Sequence, residues 1–287
     1  MKISVVIPVL NEEKRIRKCL EALAGNTVKP YEVIVADGGS TDKTVEIAQS
    51  FEFVKVIKNI RKNAAAGRNE GIKQARGEVI AFTDGDCIVA DNWIEEIEAA
   101  FSRHKDLDGI GGKVLNAAPI NRYEEYWGNL AWNLIMNFGN EAYTVTEKTL
   151  NDAFVTANCA YKRKLLIKIK GFNNWFANNA EDIDLCWRAL DNNAKLMYIP
   201  DAVIYAHNVT TLKGIIKKSF RNGYSSSKLQ KKYGSRVNFD PNIYKMLAAN
   251  LKGCIFGKKD AGLNLVELSA HLLGKYYGSF KTGVINF

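Results

Sequence analysis

Over the first 103 residues, short β-branched runs alternate with segments of helical period, and no other feature narrows the possible folds as far. Strands are predicted at 3–9, 31–36, 54–57 and 79–82. Between them Ile16, Cys19, Leu20 and Leu23 mark one helix, and others are predicted to about residue 50, over 64–75 and over 92–103. Parallel strands need long crossovers, usually helical, so this order predicts an α/β chain with a mostly parallel, Rossmann-like sheet flanked by helices. Such sheets bind ligands in the crevice beyond the carboxyl ends of their strands. Three polar clusters fall there: Asn11-Glu12-Glu13, Asp37-Gly38-Gly39-Ser40-Thr41-Asp42 and Thr83-Asp84-Gly85-Asp86-Cys87.

The third cluster follows the apolar run Val79-Ile80-Ala81-Phe82, where a buried strand meets solvent. Gly85 lets the backbone turn so that Asp84 and Asp86 can converge on one ion. Mg²⁺ is typically held by one or two carboxylates plus substrate phosphates, which makes a metal–diphosphate site one reading of the pair. An Asp-Gly turn that caps the next helix is the other. Asp37 has the same two readings, a carboxylate that accepts a nucleobase hydrogen or a turn residue ahead of a capped helix. Arg68, near a helix start, can hold a phosphate or pair with Asp84.

Beyond residue 103 the pattern changes. A strand is predicted at 109–115, at the edge of this first half, followed by a helix over 122–138 crowded with Tyr123, Tyr126, Trp127, Leu130, Trp132, Leu134, Ile135 and Phe138. Apolar residues around so much of its circumference imply burial on several sides, or a partner or lipid contact. A short strand at 158–161, a helix over 162–169 and a helix opening at Glu181-Asp182 come next, then strands at 195–199 and 202–206 that end at His207. Asp182 is a candidate general base, although acidic residues also favour helix N-termini. His207 is either structural or the completion of a cation site. Three further helices are predicted at 212–232, 243–252 and 263–277.

Charge divides the chain. Residues 208–287 hold 14 Lys and Arg against 3 Asp and Glu, and residues 1–207 hold 26 against 28, so the net +9 arises as +11 and −2. No G-x-G-x-x-G opens the first helix, which disfavours a dinucleotide site, and no G-x-x-x-x-G-K-[ST] occurs, which removes the P-loop class. The five cysteines form no CxxC pair and read as reduced, buried thiols. Residues 1–10 lack the features of a signal peptide, and no apolar run is long enough to span a bilayer, so a cytoplasmic protein is expected.

In order and spacing, Ile3 to Pro8 with Asn11-Glu12-Glu13, Asp37 to Asp42, Gly67-Arg68-Asn69 with Gly71, Asp84-Gly85-Asp86 and Glu181-Asp182 resemble the family 2 glycosyltransferases of GT-A fold. The resemblance spans about residues 1–207. It implies a GT-A catalytic domain over 1–207, with a nucleotide-binding half at 1–115 and an acceptor-binding half at 116–207, and a basic helical C-terminal region at 208–287. It implies a UDP- or GDP-sugar donor whose nucleoside is lined by Pro8, Asn11, Glu12, Asp37 and Gly39, with Arg68, Asp84 and Gly85 beside the ribose and diphosphate. It further implies a Mn²⁺ or Mg²⁺ ion on Asp86, to which His207, at its strand end, is the candidate second ligand. Asp182, next to Glu181 on the acceptor side, is then the base of a single inverting displacement. The Gln-x-x-Arg-Trp motif of processive synthases is absent after His207, where Phe220-Arg221-Asn222-Gly223-Tyr224 stands, and a single transfer is expected.

Basic amphipathic helices with aromatics suit the headgroup region of anionic membranes. The expectation is a peripheral protein at the inner face of the cell membrane acting on a lipid-linked or glycan acceptor, with Lys217, Lys218 and Arg221 near the acceptor phosphates. A nucleotidyltransferase and a basic nucleic-acid-binding module are the alternatives. The first lacks its Gly-rich N-terminal loop and the second any recognisable motif, so no nucleic acid is expected as partner.

Overall fold

A computed structural model describes residues 1–131, 139–150, 152–177, 179–234 and 243–284, with side chains omitted at 243 and 244. Its elements, in chain order, begin with β1 (Ile3–Val9), α1 (Ile16–Gly25), β2 (Glu32–Asp37), α2 (Thr44–Gln49), β3 (Val54–Lys58), α3 (Ala64–Gln74), β4 (Val79–Phe82), β5 (Cys87–Val89), α4 (Trp93–Arg103) and β6 (Gly109–Asn116). They continue with α5 (Arg122–Gly128), β7 (Tyr143–Val145), β8 (Cys159–Lys162), α6 (Arg163–Lys168), α7 (Glu181–Asp191), β9 (Leu196–Ala206), α8 (Leu212–Tyr233), α9 (Ile243–Ile255) and α10 (Ala261–Thr282). Two compact units result. One holds Met1–Ala118 and the described part of Trp132–His207, the other Pro119–Ala131 and the described part of Asn208–Phe287.

The first unit is built on one sheet of order β3-β2-β1-β4-β8-β6-β9-β5, with β7 also on β9. β3, β2, β1 and β4 are mutually parallel, as the strand–helix alternation predicts, and β6 pairs parallel to β9. β8 runs antiparallel between β4 and β6, and β5 and β7 pair antiparallel with β9. Six of the nine strands therefore share a direction. Alternation along β1 sorts its side chains by layer. Val5 and Ile7 join one cluster with Ile16, Leu20 and Leu23 of α1 and Trp93 and Ile97 of α4. Val6 faces the other way, where α3 lies so close that a Cβ on Gly71 would clash with the Val6 methyls. Burial of each such aliphatic side chain contributes roughly 1.5–3 kcal/mol.

Several sequence expectations change here. The strand expected at an edge, β6, is interior, between β8 and β9. The two strands expected around residue 200 are one, β9, interrupted in register rather than in course: pairing with β6 slips between Gly112 and Lys113, opposite Pro200, Asp201 and Ala202. Asn158 repairs the slip, because its side-chain amide donates to the Lys113 carbonyl at 2.8 Å and the Ala202 carbonyl at 2.7 Å, while its oxygen accepts from the Trp93 indole at 2.8 Å. All five cysteines are free, four of them buried as expected, but Cys254 is exposed.

In the second unit, α8 and α10 approach closely through small residues: a Cβ at Gly223 would strike the His271 carbonyl, and one at Gly274 the Phe220 carbonyl. The Ser227 hydroxyl donates to the Lys275 carbonyl at 3.0 Å across this seam. Tyr126 and Trp127 of α5 pack with Ile215 and Leu263, so the described half of the helix expected at 122–138 is buried in helical company. Trp132, Leu134, Ile135 and Phe138 lie outside the described residues. Among the described residues no helix is long and apolar enough to cross a membrane.

Candidate active site

At the carboxyl ends of β1, β2 and β4, the polar clusters are stitched to each other in the first unit. Asn11 takes a left-handed conformation, φ 58°, which asparagine tolerates better than most residues. Its backbone N–H donates to the Ser40 hydroxyl at 2.9 Å, and its side-chain oxygen accepts from the Thr41 N–H at 2.9 Å. The Glu12 N–H donates to the Thr44 hydroxyl at 2.7 Å. Asp37 folds its own turn, accepting from Gly39 and Ser40 N–H at 3.0 Å each, and Gly39, at φ +90°, holds a conformation that suits glycine. Pro8, half-buried, faces Gly67, where a Cβ would come within 3.2 Å of its ring.

The β4 end is tied to the start of α7 by one buried guanidinium. Arg68, 2% exposed, donates to Asp84 Oδ1 at 2.7 Å and to Glu181 Oε1 at 2.8 Å. Of the two readings of Arg68, phosphate contact and ion pair, the geometry gives the ion pair, and with two carboxylates instead of one. Glu181 is likewise turned to Arg68: it is buried and pushed up to about 7, by burial first, against the pull of the guanidinium. Asp182, half-buried beside it, accepts from the Ile183 N–H at 2.8 Å, and its carboxyl is raised above its ordinary range, chiefly by burial. The segment ahead of this helix holds Ala177 and Ala180 in left-handed conformations, φ 58° and 67°, costly without glycine and concentrated at functional sites. Asn69 holds that segment, with its side-chain oxygen accepting from the Phe172 N–H at 2.7 Å and its amide donating to the Phe172 carbonyl at 2.8 Å. Asp184, fully buried, accepts from Arg188 at 2.7 Å, an i, i+4 pair within α7.

The turn around Asp86 differs in cause from the sequence expectation. Gly85 is not among the residues of positive φ; it is glycine because a Cβ there would come within 3.0 Å of Val9 and 3.5 Å of Glu12. β5, which the sequence reading missed, pairs Cys87 with Ala206, so the His207 N–H donates to the Asp86 carbonyl at 3.2 Å. The two residues expected to share a cation are thus backbone neighbours. Arg15 approaches Asp86 at 3.7 Å. Glu12 is raised to about 7, by burial first and then by the charges of Asp86, Asp84 and Asp42, with Arg15 opposing. Among the described residues no three His, Cys, Asp or Glu side chains are gathered as a metal cage. The donor set is one of hard oxygens crowded enough to hold a proton near neutrality, which fits a Mg²⁺ or Mn²⁺ ion completed by substrate phosphates. Lys217, Lys218 and Arg221 lie on α8 in the second unit, where the Lys218 ammonium sits 5.2 Å from the centroid of the Trp127 ring. β5 and Phe172, over whose ring Arg68 lies at 5.7 Å, are the contributors that sequence reasoning did not single out.

A sequence profile for the family described as Glycosyl transferase family 2 matches residues 4–170. Glycosyltransferase AglE of Haloferax volcanii is 31% identical over 233 residues, covering 77% of this chain and 71% of its own. A dolichyl N-acetyl-alpha-D-glucosaminyl phosphate 3-beta-D-2,3-diacetamido-2,3-dideoxy-beta-D-glucuronosyltransferase of Methanococcus voltae is 25% identical, with the same coverage of 77% and 71%. Among solved structures, the mannosyltransferase PcManGT of Pyrobaculum calidifontis, in complex with GDP-Man and Mn²⁺, superposes with a TM-score of 0.64 at 14% identity, over 98% of this chain and 87% of its own. The fold is the GT-A fold of such neighbours.

Proposed function

The chain belongs to glycosyl transferase family 2, and we propose that it moves one sugar from a nucleoside diphosphate donor to an acceptor hydroxyl by a single inverting displacement. The observation that carries this reading is the Arg68 clasp, which joins Asp84 at the β4 end to Glu181 and, through it, fixes Asp182 at the start of α7. Residues 1–207 form the catalytic domain in this reading and 208–287 a basic accessory region. Pro8, Asn11, Glu12, Asp37 and Gly39 face the nucleoside, and Asp84 and Gly85 the ribose. Asp86 holds the divalent cation, with His207 beside it. When bound, that cation offsets the charge that builds on the departing diphosphate.

Asp182 takes the proton of the acceptor hydroxyl. Its raised carboxyl brings it nearer to the working pH, where a general base is most effective. Because the base must be ionised, the acid limb of kcat/KM should lie above the ordinary aspartate range, and activity should fall as pH drops through it. The acceptor is proposed to be lipid-linked. The Methanococcus relative is named for a dolichyl phosphate substrate, and the +11 of residues 208–287 suits an anionic membrane surface. In this reading Lys217, Lys218 and Arg221 serve the acceptor phosphates.

Thermal shift and turnover separate the roles. Asp182→Asn should keep cation-dependent stabilisation by the donor while losing about 10²–10⁴ in turnover. Asp86→Ala should lose that stabilisation itself. Normal turnover by Asp182→Asn removes the base assignment, and undiminished cation-dependent stabilisation of Asp86→Ala removes the metal assignment.

A further inference from the structure

We propose that the C-terminal half of α10, with the α8 aromatics packed beside it, is the surface that seats this protein on an anionic lipid bilayer, its rings at the headgroup–acyl boundary. The inference rests on the membrane-acceptor reading above and says which surface does the work. Leu273, Tyr276, Tyr277 and Phe280 are 63%, 38%, 46% and 83% exposed. Their i, i+3, i+4, i+7 spacing puts them on one helix face. Scattered exposed apolar residues are ordinary, but a contiguous stripe marks an interaction site.

The stripe continues onto the neighbouring helix. The Tyr277 ring lies 5.7 Å from both Phe220 and Tyr224 of α8. Lysines border these rings, with the Lys228 ammonium 4.6 Å from the Tyr224 centroid and that of Lys281 5.7 Å from Tyr277. Tyrosine, apolar in body and polar at its tip, is the side chain that interfacial belts favour. Gly223 and Gly274 let the two backbones meet, so the face is presented by a closely packed helix pair.

Charge selects the occupant. α8 carries seven Lys and Arg and no acidic residue, and α10 has no Asp or Glu after Glu267. A second copy would bring a like-charged face against this one, whereas an anionic bilayer brings the opposite charge. α10 is not apolar enough to span, so the helix lies on the surface with Leu273 and Phe280 dipping into it.

Flotation of the full chain with phosphatidylcholine vesicles, with and without phosphatidylglycerol, tests this. The wild type should float with the anionic vesicles. Leu273→Ser/Phe280→Ser should lower that partition at least tenfold, with the thermal transition and donor stabilisation unchanged because both side chains are exposed. Lys281→Glu should weaken binding to anionic vesicles alone. Equal flotation of the double variant and the wild type would overturn this surface and leave the membrane reading standing. Failure of the wild type to float overturns both. A concentration-dependent dimer in lipid-free sedimentation that the double variant abolishes would assign the face to a second copy and overturn the proposal.

Discussion

Arg68 is a buried cation with a carboxylate on each side and with its Nε unpartnered, so its energetics are those of a desolvated ion cluster. Removing one member of such a cluster leaves charge uncompensated and costs about 3–5 kcal/mol. Arg68→Ala should therefore lower the urea midpoint by that equivalent, with donor stabilisation weakened as Asp84 and the start of α7 come apart. Arg68→Lys should fall between, because a point ammonium cannot reproduce a fork that reaches two carboxylates at once. A wild-type urea midpoint for Arg68→Ala would mean the clasp is not structural. Half of this arrangement was legible beforehand: Arg68 and Asp84 are 16 residues apart, and their pairing was one of two readings. Glu181 lies 113 residues from Arg68, and nothing local in a single sequence announces a bond across that span.

Among the elements, β1, β2 and β4 were legible as largely buried apolar runs, as sheets covered on both faces require, and β3, part-exposed at the sheet edge, by its β-branched Val54, Val56 and Ile57. β5 and β7 are three residues each, too short to show a period, yet β5 is what sets His207 against Asp86. Pro200 and Asp201 hid the continuity of β9, since proline usually ends a strand and here sits at a register slip. The tight seam of α8 and α10 was equally hidden. Glycine inside a helix ordinarily costs about 0.5–1 kcal/mol relative to alanine, so composition alone predicts that replacing Gly274 would stabilise. Its Cβ would instead press on the Phe220 backbone carbonyl, which cannot rotate away, so Gly274→Ala should destabilise by about 1–3 kcal/mol. Gly262, in the same helix with nothing within 4 Å, is the control, and Gly262→Ala should stabilise by about 0.5 kcal/mol. Thermal unfolding of the two variants decides the matter, and equal shifts would show that the seam yields.

At the scale of the whole molecule, the buried titratable groups predict opposite responses of the two units to acid. In the first, Glu12 and Glu181 are both raised to about 7, chiefly by burial. Folded, they keep protons that the unfolded chain releases from about pH 4.5, so their contribution is full below that and is lost as pH rises through about 7. In the second, burial and then the charge of Lys275 push His271 down to about 4. Its unfolded imidazole takes a proton below about pH 6.5 that the folded one refuses, so this contribution, at most about 3 kcal/mol, is full above 6.5 and is lost as pH falls toward 4. Glu267, one turn earlier on α10, is raised by burial and opposes this, but the larger shift is that of His271. Between about pH 7.5 and about pH 5, amide exchange corrected for its intrinsic rate should quicken in α8 and α10 and slow in β1 and α7. His271→Asn should remove the quickening in α10 and leave β1 untouched, while Glu181→Gln should reduce the slowing in α7 alone. If both units respond to acid in the same sense, or if α10 still quickens in His271→Asn, the buried imidazole is not the group that governs the second unit.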